Sequence, residues 1–249
     1  MVNVDFMVPT GASPHTFEPT PSDMLKMQKA RMFVIIGAGL EFWAEKAVKA
    51  TGRRDLKVVI LSEGMPLIYG EHSHGENRNV ADPHIWLDPL LTVHIADKIK
   101  NALIELDRAH ESYYRERAEG FKKELYKLHQ RIIESVKHFR TKEYVAFHPA
   151  WNYFSRRYGL RTLGVIEESP GKEASPRHIA KIIMEIRRTR AKAVFAEPQF
   201  NPKIAEVIAK EAGARVLFLD PLGSPDIKGR DTYIGLMRYN LSMLEDAMR

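Results

Sequence analysis

Residues 111–139 read ESYYRERAEGFKKELYKLHQRIIESVKHF, with no proline and no glycine after Gly120. Apolar residues recur in this segment at the period of an α-helix: Leu125, Leu128, Ile132, Ile133 and Val136. That spacing predicts an amphipathic helix. At 1.5 Å rise per residue, a helix of this length spans on the order of 40 Å. It is too long for one small domain, and its length suits a bridge between two.

The chain on either side of this helix is predicted to form two α/β lobes, residues 1–109 and 140–249, with the linking helix at 110–139. The second lobe alternates strand-like and helix-like segments, which is typical of a parallel sheet flanked by helices. Its predicted strands are Tyr144–Phe147, Arg161–Val165, Ala193–Ala196 and Val216–Leu219. Its predicted helices lie near Trp151–Tyr158, Pro176–Arg190, Pro202–Ala212 and Thr232–Met248.

The first lobe shows fewer strand-like segments than the second. Its predicted strands are Val2–Val8, Met32–Ile36 and Leu56–Leu61, with one helix that starts at Thr20–Asp23 and another at Pro89–Leu106. If the two lobes are alike, the first lacks one strand and its helix. We therefore expect an N-terminal βα unit to be absent from this sequence.

The composition excludes several classes of site. Cysteine is absent, so metal ligands must come from His, Asp and Glu. The net charge of +6 comes from basic residues interleaved with acids, which predicts solvated helix faces and no nucleic-acid stripe. No apolar run approaches the roughly 20 residues that span a bilayer, and the start MVNVDFMVP lacks the features of a signal peptide. Abundant Lys, Arg and Glu without Cys favours a thermophilic source.

Three histidines and one aspartate each follow an apolar run or a proline turn. They are His15 in PHTFEP, His84 in DPHIWLDP, His148 in VAFHPAW and Asp220 in LFLDPLG; Glu197 in VFAEP ends a further strand. Proline cannot donate to a ladder, so a polar residue before proline marks a strand exit, where open parallel sheets bind ligands. Three imidazoles and one carboxylate suit a tetrahedral transition metal, with zinc the first choice.

Simpler interpretations exist for each of these residues taken alone. A single histidine in a turn is more often hydrogen-bonded to backbone, and Asp220 alone could cap a turn, but the joint pattern favours a metal site. The loop at 71–76, EHSHGE, stays open between weak metal binding by His72 and His74 and a solvated loop. The other histidines on predicted helices are expected at the surface: His94, His110, His129, His138 and His178.

Five motifs, taken together and in order, carry a resemblance to a known family. They are PTGASPHTFEPTPSD at 9–23, ADPHIWLDP at 81–89, FHPAWNYFSRRYGL at 147–160, FAEPQFN at 195–201 and LDPLG at 219–223. The chain resembles the zinc and manganese solute-binding proteins of ABC importers, known as cluster A-I, over essentially its whole length. The resemblance implies a helical-backbone metal receptor, in which two α/β lobes are joined by one long rigid helix and bind the metal between them.

The same resemblance implies roles for individual residues. The metal ligands would be His15, His84, His148 and Asp220, and a histidine at position 148 favours Zn²⁺ over Mn²⁺. Glu197 matches a carboxylate beside the site, acting on a ligand and not on the metal itself. Auxiliary roles are expected for Glu18 and for His72 and His74, whose loop resembles a longer His-rich loop of zinc-type members.

The function implied is capture of Zn²⁺ and its delivery to an ABC importer, without catalysis. The expected partners are the permease and ATPase subunits, and the expected location is extracytoplasmic, at the cell surface or in the periplasm. We expect a monomer, although an incomplete first lobe could promote association. The alternatives are a Mn²⁺-binding receptor or adhesin and, with less support, a zinc hydrolase that uses Glu197; the sequence contains no HExxH motif.

Overall fold

The computed structural model of the chain describes residues 2–70, 80–168 and 172–249. His72 and His74 lie outside the described residues. The predicted long helix is present as α4, Glu111–Lys137, and ends two residues before the predicted end. Among the described residues, no helix combines the length and the apolar character needed to cross a membrane.

The first lobe contains a short parallel sheet with helices around it. Its elements are α1 (Pro21–Lys29), β1 (Met32–Ile35), α2 (Ala44–Ala50), β2 (Lys57–Ile60) and α3 (Pro89–Leu106). The two strands pair in parallel, from Met32 opposite Lys57 to Ile35 opposite Ile60. Helix α1 starts as predicted, because Thr20 and Asp23 form a reciprocal capping box.

The second lobe contains four parallel strands in the order β4-β3-β5-β6. Its elements are β3 (Glu143–Ala146), α5 (Asn152–Tyr158), β4 (Arg161–Val165), α6 (Pro176–Thr189), β5 (Ala193–Ala196), α7 (Lys203–Ala212), β6 (Arg215–Phe218) and α8 (Tyr233–Met248). Alternate residues of the central strands face opposite layers: Tyr144 and Phe195 pack in the core with α4, α5 and α8, whereas Val145 and Val194 pack with α6 and α7. The prediction of an α/β fold with parallel sheets flanked by helices is confirmed.

Strand order in the second lobe reverses at β3. The connection from β3 leads to β4 on one side, and the chain then returns to β5 on the other side of β3. A crevice forms at such a switch point, beyond the carboxyl ends of the strands. His148 follows β3 and Glu197 follows β5, so both side chains start at this crevice.

The predicted strand at Val2–Val8 is wrong. Among the described residues, none forms ladder hydrogen bonds with this segment, and Val4 and Phe6 are 76% and 61% exposed. A groove of about 960 Å³ lies between residues 2–8 and β1, and both line it. Because a strand exists only when a neighbour pairs with it, a segment held away from β1 by this groove stays irregular. The expectation that the first lobe lacks a strand and a helix stays a prediction.

The two lobes share one hydrophobic core. The buried stripe of α4, with Leu128 and Ile132, packs in one cluster with Leu87 of the first lobe and Phe154 and Leu241 of the second. Helix α4 also packs along α3 on one side and α8 on the other. Because close-packed cores deform little, this arrangement resists a wide hinge between the lobes.

Truncation of the shared core should therefore destabilise the protein. Leu128 is 2% exposed within this core. We expect Leu128→Ala to lower the free energy of unfolding by about 2–5 kcal/mol, because it loses apolar burial and leaves a cavity. Urea unfolding followed by circular dichroism measures this change. The matched control is Leu25→Ala on α1, where the side chain is 63% exposed; an equal loss in both variants would contradict the shared core.

Candidate metal centre

The first lobe supplies two histidines from loops that precede helical turns. His15 lies in a turn closed by the Thr16 amide, which donates to the Ser13 carbonyl at 3.2 Å. His84 precedes a 3-10 turn at Ile85–Leu87 and is 4% exposed. The second lobe supplies His148, which follows β3 in an extended conformation and is 3% exposed.

The structure brings these three imidazoles together. The Nε2 atom of His84 lies 3.1 Å from Nε2 of His15 and 3.2 Å from Nε2 of His148. Within the described residues they are the one group of three or more potential ligand residues that could hold a metal ion, with ligand atoms all within 4.8 Å of one another. A cavity of about 10 Å³ adjoins them, which has room for about one water molecule or one ion.

Neighbouring carboxylates determine which ring nitrogen carries the proton. Asp82 accepts from Nδ1 of His84 at 2.7 Å, and Glu197 accepts from Nδ1 of His148 at 2.6 Å. An ionised carboxylate can only accept, so both rings must be protonated at Nδ1. Their Nε2 lone pairs therefore face each other. Two facing acceptors repel, and a cation between them would stabilise the arrangement.

The spacing of these nitrogens fits a tetrahedral ion. Zinc–nitrogen bonds are about 2.0–2.1 Å, which sets the edge of a tetrahedron at about 3.3–3.4 Å. The two Nε2 separations that involve His84, 3.1 and 3.2 Å, are close to that edge. Two of the three edges of a tetrahedral face are therefore close to the length that zinc requires.

Burial favours the neutral form of His15 and of His84. The pKa of His15 is lowered from its ordinary 6.5 to about 3. Burial is the largest cause, and the nearby His84 and His148 contribute the rest. Burial also lowers the pKa of His84, although hydrogen bonding to Asp82 opposes the change. Neutral imidazoles are the form that binds metal, so protons compete weakly for the nitrogens of His15 and His84 near neutral pH.

The carboxylates beside the histidines are themselves held. Asn152 donates to Asp82 at 2.9 Å, and the hydroxyl of Tyr153 donates to the Asp82 carbonyl at 2.8 Å. Glu197 is 1% exposed, and its Oε2 is buried without a hydrogen-bond partner in the described structure. A buried carboxylate of this kind is stabilised by positive charge nearby. Sequence reasoning missed Asp82, although its position two residues before His84 in DPH was a usable signal.

Asp220 does not join the histidine group in this structure. It follows β6 and is 1% exposed, but it is absent from the set of converging ligand atoms. Its Oδ2 accepts from Arg230 Nη1 at 2.8 Å, and its Oδ1 accepts from Gln199 Nε2 at 3.1 Å. The structure thus brings together three of the four predicted ligands, and Asp220 as the fourth stays a prediction.

Of the remaining predicted residues, those that the structure describes lie outside the cluster. Glu18 is exposed and does not line the cavity. His94, His110 and His138 are exposed as expected, whereas His129 and His178 are half-buried. His129 contacts the Tyr158 hydroxyl at 3.0 Å through Nδ1, and His178 donates to the Val165 carbonyl at 2.7 Å. None of these histidines belongs to the converging group.

Comparison with known proteins identifies the family. The family model described as "Zinc-uptake complex component A periplasmic" (ZnuA) matches residues 1–247. The chain belongs to the ZnuA family. Members of this family are substrate-binding components of metal transport systems, and this family assignment agrees with the resemblance in the five sequence motifs.

Several relatives show the range of the family. The high-affinity zinc uptake system protein ZnuA of Bacillus subtilis (strain 168) is 29% identical, over 99% of this chain and 81% of that protein. The manganese-binding lipoprotein MntA of Halalkalibacterium halodurans is also 29% identical, over 96% of this chain and 79% of that protein. The zinc-binding lipoprotein AdcA of Streptococcus pneumoniae is 26% identical, and this chain spans only 51% of its length.

A solved structure shows the same fold with metal. The crystal structure of a ZnuA deletion mutant with zinc bound has a TM-score of 0.87 and 32% identity, covering 99% of this chain and 90% of that one. The likeness spans both lobes and α4, so this ZnuA-family chain has the architecture of a zinc-binding relative.

Acid should destabilise the metal-free protein through its buried histidines. The unfolded chain binds a proton at His15 near its ordinary pKa of 6.5, whereas the folded chain binds it only at about 3. Between these values the unfolded state holds more protons, so stability falls as pH falls. We expect the thermal midpoint, measured with a chelator present, to drop between about pH 7 and pH 5. His15→Gln should lose part of that drop, and an unchanged pH dependence would contradict the assignment.

Proposed function

We propose that this protein captures Zn²⁺ between its two lobes and delivers it to an ABC-type metal importer. One observation carries the proposal: the Nε2 atoms of three histidines converge, with both separations from His84 close to a tetrahedral edge, and carboxylates fix Nδ1 of two of the rings. Three imidazoles prefer zinc to the harder Mn²⁺, which favours oxygen ligands. A manganese-binding relative keeps Mn²⁺ as the alternative metal.

The proposed ligands are His15 and His84 from the first lobe and His148 and Asp220 from the second. We assign residues 1–109 and 140–249 to these lobes and 110–139 to the linking helix. With two ligands from each lobe, the ion would act as a clamp between them. Direct interlobe bonds support a small motion only: Trp86 Nε1 donates to the Pro221 carbonyl at 2.8 Å, and the Tyr233 hydroxyl donates to the Trp86 carbonyl at 2.8 Å.

Binding fits the site better than catalysis. The cavity beside the histidines is about 10 Å³, too small for an organic substrate. Glu197, the candidate base of a zinc hydrolase, already accepts the Nδ1 proton of His148 at 2.6 Å. A carboxylate in that position orients a ligand. A catalytic zinc site needs an open coordination position for water, whereas a site that only carries the ion does not.

The family also indicates where the protein works. The family description includes the word periplasmic, and one relative is a lipoprotein. We therefore propose an extracytoplasmic location, with a permease and its ATPase as partners. Because the lobes share a core, zinc release would depend on contact with the permease and not on a wide spontaneous opening. We propose that the protein acts as a monomer.

Removal of one histidine should abolish tight zinc binding. We expect His84→Ala to weaken zinc affinity by at least about 100-fold, because it removes a ligand that contacts both other imidazoles in the cluster. Competition titration with a zinc-chelating dye measures the affinity, and parallel titration with Mn²⁺ measures selectivity. His94→Ala is the matched control, since His94 is exposed on α3.

Two results would contradict the proposal. Equal zinc affinity in His84→Ala and in the unchanged protein would exclude this cluster as the site. Tighter binding of Mn²⁺ than of Zn²⁺ would favour the manganese alternative and would exclude zinc as the cargo.

A further inference from the structure

Asp220, the proposed fourth ligand, is bound to a positive charge of the protein itself. The Asp220 carboxylate is 2% exposed and accepts from Arg230, whose side chain is 19% exposed, at 2.8 Å. The Arg230 guanidinium also lies 4.7 Å from the centre of the Tyr239 ring on α8. Stacking on an aromatic ring holds an arginine in place, so this arginine is a fixed part of the site's surroundings.

The loop after β6 is built to present Arg230 to Asp220. The Ser224 amide donates to the Arg230 carbonyl at 3.1 Å, and the Arg230 amide donates to the Ile227 carbonyl at 2.9 Å. Gly223 has φ +71°, and a Cβ there would lie 2.5 Å from the Arg230 carbonyl oxygen. Glycine is therefore required for the loop to fold back on itself.

Both oxygens of Asp220 are occupied in this arrangement. Oδ1 accepts from Gln199 Nε2 at 3.1 Å and from the amides of Leu222 and Gly223 at 3.1 and 2.9 Å, while Oδ2 accepts from Arg230. Gln199 lines the histidine cavity, and its Oε1 is buried without a hydrogen-bond partner among the described residues. Asp220 is thus adjacent to the histidine cluster but bonded to other groups.

We propose that Arg230 is a latch that holds Asp220 away from the histidine cluster and thereby limits zinc affinity and speeds zinc release. The inference rests on the proposed function, in which Asp220 is a zinc ligand. To reach the ion, Oδ2 must leave the guanidinium or Oδ1 must leave Gln199. In either case a divalent cation brought close to Arg230 is repelled by it. A receptor that must surrender its ion to a permease gains faster release from such a competitor.

The test compares zinc binding by Arg230→Gln with the unchanged protein. We expect at least about tenfold tighter zinc binding, from the loss of a nearby positive charge and of a competing partner. Zinc dissociation, measured by stopped-flow transfer to excess chelator, should slow by a similar factor. Arg238→Gln is the matched control, because it removes the same charge from an exposed position on α8. The Arg238 side chain is 52% exposed and lies 4.0 Å from Glu124.

A double-mutant cycle separates the latch from a general charge effect. If Arg230 acts through Asp220, Arg230→Gln should change zinc affinity little when Asp220→Asn is already present. An equal gain in that background overturns the latch, as does unchanged or weaker binding in Arg230→Gln alone. Weaker binding that Arg230→Lys restores would show that Arg230 orients Asp220 for coordination.

Folding and function are controlled separately. If Arg230→Gln does not fold, Arg230→Met tests the same point, because it also removes the charge and the donor to Asp220: tighter zinc binding supports the latch, and unchanged or weaker binding overturns it. Loss of zinc binding in His84→Ala with no gain in Arg230→Gln overturns the latch and leaves the proposed function intact. Full zinc binding by His84→Ala overturns the proposed function itself.

Discussion

Two imidazole nitrogens whose lone pairs face each other, those of His84 and His148, are the constraint on which the rest of the site depends. Asp82 and Glu197 fix the Nδ1 protons of His84 and His148, so the two Nε2 atoms meet as acceptors. The Nε2 atoms of His84 and His148 are 3.2 Å apart, and two acceptors at that distance repel unless a cation lies between them. A bound metal would relieve this repulsion. Burial lowers the pKa of His15 to about 3, which disfavours a proton in the position of the metal.

The fold serves this constraint by joining distant segments rigidly. His148 and Glu197 follow neighbouring strands at the point where the sheet order reverses, which places imidazole and carboxylate side by side. His84 reaches them from the other lobe, and the shared core along α4 fixes the distance between lobes. In the proposed latch, Arg230 lowers zinc affinity from outside the cluster, because it is bonded to Asp220 directly. Preorganised ligands and a competing charge act in opposite directions, as a receptor that both captures and releases requires.

Much of this arrangement is predictable from sequence, for identifiable reasons. Helix α4 is predictable because its apolar period is local, and His148 because a strand followed by His-Pro marks a sheet edge. Val2–Val8 is mispredicted because strand formation depends on a neighbour that the local pattern does not reveal. The bond between Asp220 and Arg230 is also invisible to sequence reasoning, since it depends on a loop closed by Gly223 and on Tyr239 from another element. The resemblance to a family predicts which residues are ligands, but not which partners they have before metal binds.

The zinc coordination shell is the most direct test of the central claim, and X-ray absorption of the zinc-loaded protein measures it. The account predicts four nitrogen and oxygen ligands at about 2.0–2.1 Å, three of them with the outer-shell scattering of imidazole. His84→Ala should lose one imidazole contribution along with its affinity. A shell of five or six oxygen-dominated ligands, or fewer than three imidazoles in the unchanged protein, would contradict the account.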